Sequence, residues 1–311
     1  MATTATSTTD GMSDEHVTKA ARALAGALEP FAGQVYFSRE CHDGYAALGF
    51  DPSRAEANGV ALPDGPAYFT SRGSVMGQVP GELVASAFGV FNPEVVVPAV
   101  THGWTLTDAA TICAARTDGA TAQLVRILGE HPDGLDRAIE LMERAVAPLR
   151  PEGRPLYSGL LSCGLPDDAM GKAWRLADLL REYRGDAHTA SWTSAGFDAT
   201  EIGLLTELYW GLPMRSYVRT RAWSDAQLDA AEARLAGRGL VADGALTEKG
   251  RAEREAVEVA TDRQCRPIVA ALGDELDELV GLLGRWGAEV RGAQGYPASG
   301  PHDLATRASG G

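Results

Sequence analysis

Residues 200–251 read TEIGLLTELYWGLPMRSYVRTRAWSDAQLDAAEARLAGRGLVADGALTEKGR, and the order of signals within them decides the fold. Leu204, Leu205 and Leu208 predict a helix over 200–210, which Gly211-Leu212-Pro213 ends. A short helix is expected over Met214–Thr220. Ser224 then caps a third helix, whose apolar stripe Leu228, Ala231 and Leu235 keeps i, i+3, i+7 spacing. Arg238-Gly239-Leu240-Val241 closes that helix. Asp243-Gly244, set between two short apolar stretches, then signals a tight hairpin.

Three helices followed by a hairpin is the order of a winged helix-turn-helix. The pattern R-G-L-V…L-T-x-x-G over residues 238–250 resembles that part of MarR-type regulators. In such a module the third helix lies in the major groove with its N-terminal half facing the bases. Here that half offers Asp225, Gln227, Asp229 and Glu232, and cations come only late, at Arg234 and Arg238. The hairpin offers Asp243 where a MarR-type wing is basic. Against this, Arg215, Arg219 and Arg221 cluster just before the third helix, and residues 211–266 are near neutral with 10 basic and 9 acidic groups. DNA is therefore kept as a second partner but is disfavoured. A structural or dimerising role for the module makes a homodimer a candidate assembly.

Outside this stretch the chain reads as helical. A helical beat runs from His16 to Leu48 with a break around Pro30–Gly33, and the Pro- and Gly-rich segment 51–67 reads as a loop. Helices are expected within 79–90, at 93–100 after Asn92-Pro93, at 106–116 after Thr105 as cap, at 119–129, at 133–148 and from Asp168 to Ala190. The expected fold is mostly α: a helical N-terminal domain packed on the winged helix-turn-helix, with one short β-hairpin. The expected organisation is a polar tail at 1–14, a ligand-binding helical domain at 15–199, the winged module with its C-terminal helices at 200–290, and a second tail at 291–311.

The 311 residues carry a formal charge of −14, which counts against a general affinity for nucleic acid or anionic membrane. Cys41, Cys113, Cys163 and Cys265 form no C-x-x-C pair and read as reduced thiols. No signal-peptide pattern and no apolar run of about 18 residues is present, so a cytoplasmic protein is expected. Only three of the 28 basic residues are Lys, and with abundant Ala and Gly this fits a GC-rich genome such as an actinobacterial one.

The densest polar constellation is Leu179-Leu180-Arg181-Glu182-Tyr183-Arg184-Gly185-Asp186-Ala187-His188. At about 100° per residue, Leu176, Leu179, Leu180, Tyr183 and Ala187 form one stripe. Arg181, Arg184 and His188 flank it on one side, and Glu182 and Asp186 on the other. Two arginines suit a carboxylate or phosphate, and His188 with Asp186 or Glu182 supplies acid/base candidates. Arg72 and Tyr36 are further ligand-binding candidates. The alternative is a set of inter-helix salt bridges. Asp186 and His188 do not share a face, so no metal site is expected. Gly185, costly in mid-helix, suggests that something approaches the backbone there. Thr261-Asp262-Arg263 is placed to meet the Arg184 face or to pair with it.

Taken together, four stretches are similar to an actinobacterial helix-turn-helix family of mostly unassigned function. They are Tyr36-Phe37…Tyr45-Ala46-Ala47-Leu48-Gly49; Tyr68-x-x-x-Arg72…Met76-Gly77…Phe91-Asn92-Pro93; Leu180 to His188; and Arg238-Gly239-Leu240…Leu246-Thr247-x-x-Gly250…Ala260-Thr261-Asp262-Arg263. The similarity covers residues 16–285. Tyr183 departs from it, standing where the family pattern has His. The resemblance implies DNA binding and brings no catalytic assignment. The residues favour a cytosolic small-molecule-binding protein, leaning to an enzyme of actinobacterial secondary metabolism with its pocket between the helical and winged parts. The alternative is a ligand-responsive MarR-like regulator that reads DNA through residues 211–250. Neither a reaction class nor a cofactor follows from the sequence.

Overall fold

The computed structural model describes residues 12–53, 55–57 and 59–298. Most of both expected tails therefore lies outside the described residues. The chain is mostly α-helical, with two small antiparallel hairpins among the described residues. In order, the helices are α1 (Asp14–Gly33), α2 (Arg39–Ala47), α3 (Gly65–Gly73), α4 (Gly81–Phe88), α5 (Pro93–Leu106), α6 (Ala109–Leu128), α7 (Leu135–Val146) and α8 (Pro155–Ser162). They continue with α9 (Ala169–Ser194), α10 (Ala199–Tyr209), α11 (Asp225–Gly237), α12 (Glu248–Gln264), α13 (Arg266–Leu272) and α14 (Leu276–Gly292). Strands β1 (Ala55–Ala57) and β2 (Val60–Leu62) form one hairpin. Strands β3 (Val241–Ala242) and β4 (Ala245–Leu246) form the other, with Val241 opposite Leu246. No helix among the described residues is long and apolar enough to cross a membrane.

Most helices start where a short polar side chain caps the first backbone N–H groups. Ser13, Ser38, Asp64, Asn92, Asp168 and Thr247 do so singly. Asp198 with Glu201, and Ser224 with Gln227, form reciprocal capping boxes. Several expectations change. Asp108, not Thr105, caps α6, because α5 runs on past Thr105 to Leu106. The segments 106–116 and 119–129 form one helix, since Gly119 seats its backbone against Cys41 rather than ending the turn. Helix α1 passes through Pro30, whose ring packs over Gly287 of α14. The segment 51–67 holds the β1–β2 hairpin and the start of α3, so the single hairpin expected becomes two.

The largest local difference lies between α10 and α11. The short helix expected over Met214–Thr220 is a 3₁₀ turn over Val218–Arg221 instead. The fully buried carboxylate of Glu207 on α10 accepts backbone N–H bonds from Arg215, from Tyr217 at 2.9 Å and from Val218 at 3.0 Å. Those donors point at a side chain and not along a helix, and Arg215 takes φ +63°. Sequence periodicity has no signal for such a bond.

Two apolar clusters hold the described residues together. The larger runs from Val17 to Tyr296 and joins α1–α9 to α13 and α14. The smaller contains Trp192, Ile202, Leu205, Val218, Leu228 and Leu235. Helix α9 packs against α1, α6, α7, α8 and α12, and α12 also reaches α1 and α10. The apolar stripe of α9 is buried as expected, and so are its flanking Glu182 and Asp186.

Candidate functional site

Between α1 and α9 on one side, and α10, the 3₁₀ turn and α12 on the other, lies a cavity of about 250 Å³. Leu24, Leu28, Leu180, Ile202 and Val218 give it apolar walls. Its charged lining is Arg22, Arg72, Arg181, Arg184, Arg221 and Arg254 against Glu29, Glu182 and Glu258, with His188 beside them. Six arginines outnumber three carboxylates in this lining.

Helix α9 supplies the centre of this lining. Glu182, 3% exposed, accepts both Nη2 contacts of Arg72, at 3.0 and 3.2 Å, and one from Arg181 at 2.8 Å. The Tyr36 hydroxyl bridges the same pair, donating to Glu182 at 3.3 Å and accepting from Arg181 at 3.3 Å. Arg181 also forks onto Glu29 at 2.9 and 3.1 Å. Burial alone would raise the Glu182 carboxyl, yet Arg72 and Arg181 hold it below the ordinary range.

One turn further on, Arg184 bonds Glu258 at 3.1 Å and Asp262 at 2.9 Å. Asp262 and Glu255 in turn hold Arg22 at 2.7 and 2.8 Å. His188 Nδ1 lies 3.2 Å from the Thr261 hydroxyl and 3.9 Å from Glu258. Thr261-Asp262 thus meets the Arg184 and His188 face, while Arg263 turns outward to Asp14. Burial again opposes ionisation of Glu258, and Arg254, His188 and Arg184 together hold its carboxyl well below the usual value.

Arg254 was not legible as a site residue. It is 1% exposed, pairs with Glu258 at 2.7 Å, and donates to the Thr206 hydroxyl at 3.2 Å. Its Nε and Nη1 have no hydrogen-bond partner among the described residues, nor have the Nε atoms of Arg72, Arg184 and Arg221. Buried guanidinium donors left over in this way are costly. Arg22 and Glu29 were equally silent, since each sits on α1 with no polar cluster around it in sequence, and Arg221 stood out only within the Arg215–Arg219–Arg221 cluster weighed for DNA.

Of the residues singled out from sequence, Arg72, Arg181, Arg184, Glu182 and His188 line the cavity, and Tyr36 braces it from behind. Asp186 faces elsewhere. Its Oδ2 accepts the Tyr157 N–H at 3.0 Å and so caps α8 from a distance, because Arg154 at the start of that helix offers no side-chain cap. Burial pushes the Asp186 carboxyl up to about 7, offset only in part by that bond. No helix packs against Gly185: it lines the cavity, and a Cβ there would meet only Glu182 at 3.4 Å. Among the described residues no group of His, Cys, Asp and Glu side chains could hold a metal ion.

On the outer side, α11 exposes Asp225, Ala226, Asp229 and Ala230. The nearby cations are tied to carboxylates: Arg215 to Asp229 at 2.6 Å and to Glu232, Arg219 to Asp225 at 3.0 Å, and Arg234 to Glu201 at 3.0 Å. The start of α11 is clamped by residues 90–92. Trp223 Nε1 donates to the Val90 carbonyl at 2.9 Å, and Asn92 Nδ2 donates to the Ala222 carbonyl at 3.0 Å. Arg221 stacks over both Phe91 and Tyr217.

A family model described as a helix-turn-helix family matches residues 21–297. No curated protein and no solved structure matches the chain.

Proposed function

The chain belongs to this helix-turn-helix family, and we propose that it is a ligand-responsive regulator whose arginine-lined cavity is the sensor and whose α10–α12 segment is a MarR-like DNA reader. One observation carries the reading. The cavity draws its walls from α1 and α9 and also from Ile202, Thr206, Tyr217 and Arg254 of the helix-turn-helix segment. An occupant there contacts both sides and biases the position of α11 through the turn at 217–221. The ligand is a small anion with an apolar body: Arg184, Arg221 and Arg254 face its charged end, and Leu24, Leu28 and Ile202 face the rest. The test is fluorescence anisotropy of the full chain on its own upstream DNA across a salt series. Binding that weakens steeply with salt and prefers that DNA supports the reading. Affinity equal to that for random DNA at every salt concentration overturns it.

A second reading has a specific observation in its favour. The outward face of α11 is acidic, and its neighbouring arginines are already engaged by carboxylates. Carboxylates facing phosphates oppose binding. This supports a cavity that serves a small-molecule enzyme, with the helix-turn-helix segment as scaffold. A chain that binds ligand but no DNA in the same assay decides for this reading.

A further inference from the structure

The four cysteines are widely separated in sequence, but the fold brings two together. Cys113, on the buried side of α6, and Cys163, exposed just past the end of α8, have their sulfurs 3.7 Å apart. Cys41 and Cys265 are buried elsewhere. A disulfide needs about 2.05 Å between sulfurs, so the two must approach by about 1.7 Å. Cys163 is well placed to move. It sits at the helix end, and the next residue, Gly164, turns with φ +69° into the exposed segment that leads to Asp168.

We propose that Cys113 and Cys163 form a reversible dithiol–disulfide site that a peroxide oxidises. The inference is independent of what the cavity binds.

The environment suits the chemistry. A thiolate on Cys113 accepts the S–H of Cys163, and Arg116 and Arg175 add positive field, so the pair gives up its first proton below the usual thiol value and holds the second above it. Arg175 is 2% exposed and donates to Thr117 at 2.7 Å. Its Nε and Nη1 have no hydrogen-bond partner among the described residues. In the reaction the thiolate attacks a peroxide oxygen, the O–O bond breaks, and hydroxide leaves. The second sulfur then displaces hydroxide from the sulfenic acid, and the S–S bond forms. The two sulfurs lose two electrons, the peroxide gains them, and the two thiol protons leave in water.

The test treats the reduced full chain with a modest excess of hydrogen peroxide, denatures it, and traps thiols with N-ethylmaleimide for mass spectrometry. The expected result is a fall from four adducts to two, a chain lighter by two hydrogens before trapping, and a linked peptide pair containing Cys113 and Cys163. Dithiothreitol restores all four adducts. In Cys163→Ser the same treatment takes Cys113 to sulfenic or sulfinic acid with no linked pair. Four adducts after oxidation of the native chain, sulfinic acid on Cys163 alone, or a link between two chains would each overturn the proposal.

Discussion

Asp186 and Glu258 are both buried carboxylates near α9, and they respond to pH in opposite directions. Asp186 has its folded pKa raised to about 7 from 3.8, so the folded state holds its proton more tightly than the unfolded chain. The stability this confers is complete below about pH 4 and is lost as pH rises through about 7. Asp186→Asn keeps an acceptor for the Tyr157 N–H and removes the titration. Urea unfolding should show the native chain losing about 4 kcal/mol relative to the variant between pH 4 and pH 8. Equal pH slopes in the two proteins would show that Asp186 ionises normally. Glu258 is held low, so its contribution is present above its unfolded value and fades as pH falls. Glu258→Gln at pH 7 leaves Arg254 buried without its charge partner and should cost about 3 kcal/mol, measured in the same way.

At the scale of elements, Glu207 holds a segment and Gly119 allows a crossing. Removing the Glu207 carboxylate in Glu207→Ala orphans the backbone N–H groups of Tyr217 and Val218. The expected cost is roughly 2–4 kcal/mol, with faster amide hydrogen exchange confined to 214–221. Uniform exchange across α10 and α11 would instead point to global loosening. A Cβ on Gly119 would come within 2.6 Å of the Cys41 backbone. Gly119→Ala therefore has to push α2 off α6, at about 1–3 kcal/mol read as a fall in Tm. The start of α11 was legible at this scale because its cap is a bond between near neighbours: Ser224 and Gln227 are three residues apart. Asp198 and Glu201 make the same bond at α10, where no cap was read, and at α6 Thr105 was read in place of Asp108. The 3₁₀ turn was not legible, because the carboxylate that shapes it sits 8 to 11 residues away on another helix.

For the whole molecule, the formal charge of −14 and the arginine-rich cavity pull in different directions. The cavity should favour anions with apolar bodies. In a thermal-shift panel, aliphatic and aromatic carboxylates should raise Tm, and their amides should not. Equal shifts for acid and amide would remove the role given to Arg184 and Arg254. On the outside, Asp225→Asn with Asp229→Asn frees Arg219 and loosens Arg215. DNA affinity at low salt should rise roughly tenfold and the salt dependence should steepen, by anisotropy. No change would mean that α11 does not face DNA.

The sequence by itself determined the mostly helical class, the order of α10, α11, hairpin and α12, and the polar flank of α9. Caps and apolar periodicity act within a few residues, so the chain reports them wherever it is read. The tertiary structure alone decided which charges meet. Arg22 reaches Asp262 across 240 residues, and Arg72 reaches Glu182 across 110. Periodicity says which face of a helix is buried, but not what lies opposite. The same limit hid Arg254, the α1 wall of the cavity and the Cys113–Cys163 pair. It also hid the pairing of Arg215 and Arg219 with the carboxylates of α11. Each of these depends on how separate helices pack, which local hydrogen bonding and hydrophobic spacing leave open.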